Sequence, residues 1–247
     1  MRLAIVSDIH GNLPALEAVI VDIKKHKPDM IVNLGDCVSG PLWPKETYEL
    51  LRSLNWPTVR GNCDRAVGSA NPATLSESDK FAYDRLNVQD RDWLKQLPTF
   101  IQISDSILAC HGTPETDNEY LVELVSAGQL CAAPSAEINR RLALVKADLV
   151  LCGHSHIPQL ILVAPSQLVL NPGSVGLPAY EFQLDASKHV VSESGSPHAR
   201  YAIVTENDTK FNVEQFAVSY SHELAAQRAG EANRADYVQA LRTGRMR

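Results

Sequence analysis

MRLAIVSDIHGN, residues 1–12, runs from a short apolar stretch straight into a cluster of potential ligands. Leu3, Ala4, Ile5 and Val6 form a continuous apolar run, the pattern of a strand buried on both faces of a sheet. Asp8 and His10 follow, a carboxylate and an imidazole two residues apart. Gly11 and Asn12 then break the strand, and Pro14 stands where a first helical turn tolerates it. The carboxyl end of a buried strand is where open α/β sheets bind ligands. Asp8 alone reads equally well as a helix cap, so the rest of the chain must decide.

Outward from this stretch, strand and helix patterns alternate. Leu13, Leu16, Val19, Ile20 and Ile23 recur at helical spacing, with Lys24, Lys25 and Lys27 at the negative end. Met30–Leu34 reads as a second buried strand ending in Gly35-Asp36. Thr58-Val59 reads as a third, running into Arg60-Gly61-Asn62-Cys63-Asp64. This is a βαβαβ pattern with its polar groups gathered at one edge. Helices are expected over Ser76–Asn87, Asp90–Leu97 and Ser135–Lys146. Phe100–Ile103 and Ile107–Cys110 read as a strand pair delivering His111-Gly112. Leu149–Cys152 ends in Gly153-His154-Ser155-His156. Leu160–Val163 and Leu168–Leu170 form another pair, followed by Asn171-Pro172-Gly173-Ser174-Val175-Gly176. A long polar loop is expected from there to about His198, then strands Tyr201–Thr205 and Phe211–Val218. One Ala-rich helix closes the pattern over about 222–241. With no repeat or linker, residues 1–247 read as a single domain.

Composition bounds the function. The 247 residues are 45% apolar and carry a formal charge of −6 without a block of like charges, which argues against a nucleic-acid-binding surface. No apolar run reaches membrane-spanning length. Five cysteines, an odd number without a CxxC pair, and no hydrophobic leader suggest a reducing cytoplasm. GxSxG and GxxxxGK[ST] are both absent, which argues against a serine hydrolase or a P-loop NTPase.

The ligand inventory carries more weight. Asp8, His10, Asp36, Asn62, His111, His154 and His156 each follow a short apolar run, in a chain with eight histidines in all. Singly, each has a structural explanation; together they exceed the four ligands a zinc ion usually takes. They suit a pair of ions bridged by a carboxylate, the arrangement that clamps both oxygens of a phosphoryl displacement and supplies hydroxide at neutral pH.

In order and spacing, Asp8-x-His10, Gly35-Asp36, Gly61-Asn62-x-Asp64, His111-Gly112 and Gly153-His154-x-His156 resemble the calcineurin-like metallophosphoesterase superfamily, in its small prokaryotic Gly-Asn-Cys-Asp branch. The resemblance implies an α/β fold, a four-layer α-β-β-α sandwich with two stacked mixed sheets and outer helices. It implies one metal on Asp8, His10, Asp36 and His156, and a second on Asp36, Asn62, His111 and His154. Mn, Fe or Zn would suit this oxygen- and imidazole-rich set. The implied activity is hydrolysis of a phosphodiester or nucleotide-type phosphate ester. The alternatives are a Ser/Thr protein phosphatase and a non-catalytic scaffold of the same fold.

Cys63 stands where many members carry a histidine that serves the leaving group, so its weak acidity favours good leaving groups. Asp64, without that histidine, is expected to orient a metal ligand or Arg65. Arg60, Arg65 and Arg200, with His198, are the candidates for binding a small phosphate-ester substrate, since guanidinium pairs bidentately with phosphate. Asp117-Asn118-Glu119-Tyr120 lies beside the metals by sequence. Arg242, Arg245 and Arg247 read as solubilising a helix end, with a homo-oligomer contact as the alternative.

Overall fold

The computed structural model describes residues 1–68, 71–163, 166–185, 188–207 and 210–247. In chain order the elements are β1 (Arg2–Val6), α1 (Leu13–His26), β2 (Met30–Asn33), α2 (Pro44–Leu54), α3 (Asn62–Val67), α4 (Glu77–Tyr83), α5 (Val88–Gln96), β3 (Phe100–Ser104) and β4 (Ile107–Cys110). There follow β5 (Glu123–Ser126), β6 (Gln129–Ala132), α6 (Ser135–Arg141), β7 (Leu149–Leu151), β8 (Gln159–Val163), β9 (Gln167–Asn171), β10 (Ala179–Asp185) and β11 (Lys188–Glu193). The last are β12 (Ala199–Asn207), β13 (Lys210–Val218), α7 (His222–Glu231) and α8 (Ala235–Thr243).

Two mixed sheets stack face to face. One has the order β13-β12-β1-β2, the other β3-β4-β7-β9-β8. Alternation along β1 explains the stacking. Leu3 and Ile5 face the second sheet, meeting Ile107, Ala109, Leu149 and Leu151 in a fully buried layer. Ala4 and Val6 face the other way, under Leu16, Val19 and Ile23 of α1. That helix starts where Asn12 accepts the Ala15 N–H at 3.3 Å, and it ends at Lys27 in left-handed backbone. The outer face of the second sheet, through Val150 and Val169, packs on Ile138 of α6. The expected helix–sheet–sheet–helix order is therefore present. Among the described residues no helix is long and apolar enough to cross a membrane.

Four details differ from the sequence expectation. Thr58-Val59 is not a full strand: it makes one parallel bridge, Asn33 with Thr58, because the chain turns at once into α3. The polar loop expected up to His198 contains the hairpin β10–β11; Ala186 and Ser187 lie outside the described residues. With the hairpin β5–β6 it forms a third, four-stranded sheet, β10-β11-β6-β5, joined at Val191 and Gln129. The helix expected over 222–241 is two, packed together through Ala225, Ala226, Ala229, Tyr237, Ala240 and Leu241, with Asn233 in left-handed backbone between them. Arg242 does not simply solubilise a helix end, since it pairs with Glu223 and ties α8 to α7.

Candidate metal centre

The ligand residues stand on loops at one end of both stacked sheets. Asp8 and His10 follow β1, Asp36 follows β2, and Asn62 opens α3. His111 follows β4, and His154 and His156 follow β7. Backbone hydrogen bonds lace these loops together. Asp8 N–H donates to Gly35 O, His10 N–H to Asp36 O, and Gly153 N–H to His111 O, at 3.0, 3.0 and 2.8 Å. The turn Asn171–Gly176 clasps the first loop: Ser174 Oγ and Gly176 N–H both donate to Asp8 O.

Asp8, His10, Asp36, His154 and His156 all have φ between 50° and 69°. Non-glycine residues enter this left-handed region at a cost of about 1–2 kcal/mol each. They persist there when neighbours over-determine the backbone, typically at functional sites. Two glycines make the close packing possible. A Cβ on Gly61 would overlap the Asp36 carboxylate, and one on Gly153 would overlap Ser7 Oγ.

The histidine tautomers follow from the outer contacts. Nδ1 of His10, His111 and His156 lies 2.9, 2.7 and 2.6 Å from the carbonyl oxygens of Ser39, Leu34 and Leu177. A carbonyl only accepts, so each Nδ1 carries a proton, and Nε2 is the ring atom left to offer a lone pair inward to a cation. His10 Nε2 lies 3.2 Å from His156 Nε2, and His111 Nε2 lies 3.1 Å from Asn62 Oδ1. His156 Nε2 is 3.3 Å from Asp8 Oδ1. Asp8 is fully buried, and neither of its carboxylate oxygens receives a hydrogen bond. Acceptors facing acceptors around a buried carboxylate repel one another unless a cation lies among them. The residues thus fit a metal ion. Asp8, His10 and His156 form one close group, and Asp8, Asp36 and His111 a second.

Asp36 belongs to the second group and, with His10 and Cys63, to a third. Its Oδ1 accepts the Cys63 N–H at 2.9 Å, while Oδ2 lies 3.7 Å from His10 Nε2 and 3.5 Å from His111 Nε2. Burial opposes the charge of Asp36, but the adjacent His111 and His10 outweigh it and hold the carboxyl well below the usual range. In the ion-free chain His111 is pushed up to about 10: burial opposes its charge, and the Asp36 carboxylate overcomes that. Burial lowers His10 to about 4, helped by His156, and lowers His154 to about 4, helped by His111. Both rings remain neutral and ligand-ready above that pH.

Asp64 does not face the cavity. Its carboxylate accepts the N–H groups of Asp36, Cys37 and Gly61 at 2.9, 2.9 and 3.0 Å, and so fixes the backbone of the central carboxylate. Of the two partners expected for it, a metal ligand or Arg65, Asp64 thus meets the loop of the proposed ligand Asp36, and it acts as a positioning residue. Cys63 does border the cavity, within reach of His10 and Asp36. Burial and the Asp36 charge push its thiol up, so it stays protonated.

The expected phosphate clamp is not assembled. Arg65 is bound bidentately by Asp117, with Nε and Nη2 both 2.9 Å from its oxygens, and Arg60 Nε lies 3.7 Å from the same carboxylate. These two arginines border a separate hollow. Arg200 lays its stem over Gly173 and donates to Ser196 Oγ, and His198 Nδ1 meets that same hydroxyl. Neither Arg200 nor His198 lines the cavity above the metal centre. An arginine on a strand held between β1 and β13 emerges where the pleat directs it, regardless of a distant phosphate.

That cavity, 670 Å³, has His10, Asp36, Asn62, Cys63, His154 and His156 at its base. Its walls come from elements beyond the expected sandwich: the third sheet, the segment before β5 and helix α8. Tyr120 stacks on the His154 ring at 4.5 Å, and Tyr180 meets His156 edge-on at 4.5 Å. Tyr180 donates to His154 O at 3.1 Å and, having spent its proton, accepts from Tyr120 at 2.9 Å. Tyr120 lies in the segment that sequence placed beside the metals. Tyr180 was missed; its only signal is the Tyr180-x-Phe182-x-Leu184 alternation of a strand.

Comparison with known proteins agrees with this geometry. The chain is 27% identical to an uncharacterised protein of Methanocaldococcus jannaschii, over 88% of this chain and 87% of the relative. It is similar to the crystal structure of a metallophosphoesterase from Sphaerobacter thermophilus, with TM-score 0.73, 26% identity and 98% of each chain covered. A hypothetical protein of Pyrococcus horikoshii OT3 shares the fold, with TM-score 0.78 at 19% identity and 98% of each chain covered. The model of the calcineurin-like phosphoesterase family matches residues 1–158, a span that closes just past His156 and takes in every inward-facing ligand described above. By sequence, fold and the placement of its buried acceptors, the chain belongs to the calcineurin-like phosphoesterases, metal-dependent hydrolases of phosphate esters.

Proposed function

We propose that this chain is a dinuclear phosphoesterase acting on phosphodiesters or nucleotide-type esters. The observation carrying this reading is the ring of inward lone pairs around the unpartnered Asp8 carboxylate, with Asp36 Oδ2 between its two halves. Asp8, His10 and His156 would hold one ion, and Asn62, His111 and His154 the other, with Asp36 shared. Bound there, such ions supply neutralisation of the phosphate oxygens and a water acidified toward neutral pH.

The remaining work belongs to the chain. Carbonyls of Ser39, Leu34 and Leu177 keep three imidazoles in the ligating tautomer. The Tyr180 hydroxyl pins the carbonyl of His154, and Tyr120 covers that ring. The Cys63 thiol lies within 4.8 Å of an Asp36 carboxylate oxygen at the cavity base, and as a weak acid it suits departing groups that need little protonation. A base walled by the third sheet and α8 favours small substrates over folded phosphoproteins. Five cysteines without a disulfide accord with a cytoplasmic setting.

The test strips the protein of metal and assays it with Mn²⁺, Zn²⁺ or Mg²⁺ on paired phosphomonoesters and phosphodiesters, counting bound ions by elemental analysis. Two ions per chain and metal-restored diester cleavage are expected. Ion binding without hydrolysis of either ester would replace the reading with a non-catalytic scaffold.

A further inference from the structure

Beyond the ligand base, the cavity is short of cations. Among the described residues, the only guanidinium groups on its walls belong to Arg141 and Arg234. Both are saturated. Arg141 Nη1 donates to the carbonyls of Leu121 and Glu123, each at 3.0 Å, and Nε contacts Glu119. Arg234 grips Asp236 through Nε and Nη2 at 2.9 and 2.6 Å, and gives Nη1 to Ser78 Oγ. Among the described side chains no lysine lines the cavity, whereas Glu77, Asp79, Glu119, Glu181 and Asp236 all do. The Arg60 and Arg65 pair, which could have met a second phosphate, is tied to Asp117 and borders the other hollow. The uncharged wall is apolar and aromatic: Tyr120, Leu124, Phe182, Tyr237 and Met246.

Among the described side chains, an anion in this cavity therefore meets no cation outside the metal centre that is not already paired with a carboxylate, and the other charges of the wall are carboxylates, several of them in such pairs. A group in the upper cavity exchanges water for aromatic and aliphatic surface. We propose that the substrate is a singly charged phosphodiester whose second ester group is apolar and uncharged, and that nucleoside polyphosphates and other multiply anionic esters are excluded. The proposal rests on the phosphoesterase reading. In the reaction, water's oxygen bonds to phosphorus and the bond to the departing alkoxide breaks. That alkoxide leaves with the electron pair, and the proton of the water passes to it or to solvent. The upper wall holds the ester group that stays.

The test uses the Mn²⁺-loaded full chain and three phosphodiesters of graded character: diphenyl, dimethyl and bis(4-carboxyphenyl) phosphate. Binding is read by calorimetry, and kcat/KM is measured on bis(p-nitrophenyl) phosphate and methyl p-nitrophenyl phosphate. Burying one aryl group is expected to tighten diphenyl over dimethyl phosphate by about ten- to a hundredfold. The carboxylated ester is expected to bind more weakly than diphenyl phosphate, and kcat/KM to favour the bis-aryl substrate. Phe182, on the half-exposed edge strand β10, supplies a second handle. Phe182→Arg is expected to narrow the gap between the carboxylated and diphenyl esters. Equal affinity for all three ligands, or tightest binding of the carboxylated one, would overturn the proposal. Metal-dependent hydrolysis of the methyl ester would in that case leave the phosphoesterase reading standing. Hydrolysis of neither ester would remove both.

Discussion

Asp64 touches no part of the cavity, yet it decides where Asp36 points. Its two oxygens accept three backbone N–H groups, one of them from Asp36 itself. An amide at that position would turn an NH₂ group toward at least one of those donors. Asp64→Asn is therefore expected to weaken ion binding about 10- to 100-fold, the usual cost of losing an outer partner of a ligand. Ion titration followed by calorimetry checks this, and unchanged affinity would show that the loop holds Asp36 unaided. The residues of the cluster were legible in sequence because each follows an apolar run and is of a ligating type. The arginines were misread for the converse reason. Guanidinium suits phosphate, but Asp117 and Ser196 lie closer in space to Arg65 and Arg200 than the metal centre does in function, and no pattern in the chain reveals such pairings. Left-handed backbone at five ligand positions was equally invisible, since only glycine advertises it.

At the scale of elements, the two stacked sheets were readable from their apolar runs, whereas the third was not. Its strands β5 and β6 are four residues each, and β10–β11 mixes Glu, Gln, Ser and His into a weak alternation. Yet that sheet reaches the centre through Glu123 of β5. Glu123 Oε1 accepts from Ser155 Oγ and from Gln159 Nε2, and Asn171 Nδ2 also reaches Ser155 Oγ, fixing the residue between His154 and His156. Burial pushes the Glu123 carboxyl up to about 7 from an ordinary 4.5, against the Ser155 hydrogen bond. The folded chain then holds a proton that the unfolded chain has released. Its stabilising contribution is full below pH 4.5 and is lost as pH rises to about 7. Glu123→Gln keeps an acceptor for Ser155 but does not titrate. In ion-free protein the variant is expected to gain about 2 kcal/mol on wild type between pH 5 and pH 8, at about 1.4 kcal/mol per unit. Urea midpoints at the two pH values measure it, and parallel curves for the two proteins would show that Glu123 is ionised throughout.

The whole molecule places its ligands on both stacked sheets: Asp8, His10 and Asp36 follow strands of one, His111, His154 and His156 strands of the other. An ion held across that seam is a cross-link whose binding free energy adds to folding. At a hundredfold excess over Kd one site contributes about 2.7 kcal/mol, or about 5–10 °C of Tm for a chain of this size. Trp56 and Trp93 pack in the cluster between the β1 sheet and its helices, while Trp43 packs with α7 and α8, so in a Trp43→Phe background fluorescence follows the β1 half of the sandwich. Circular dichroism follows all the strands and helices. If the ions join the halves, chelation should lower both transitions by the same amount and restoring Mn²⁺ should return them together. A fluorescence transition that stays put while circular dichroism moves would mean that metal is held by the β4–β7 loops alone, and Asp36 would then not be the shared ligand.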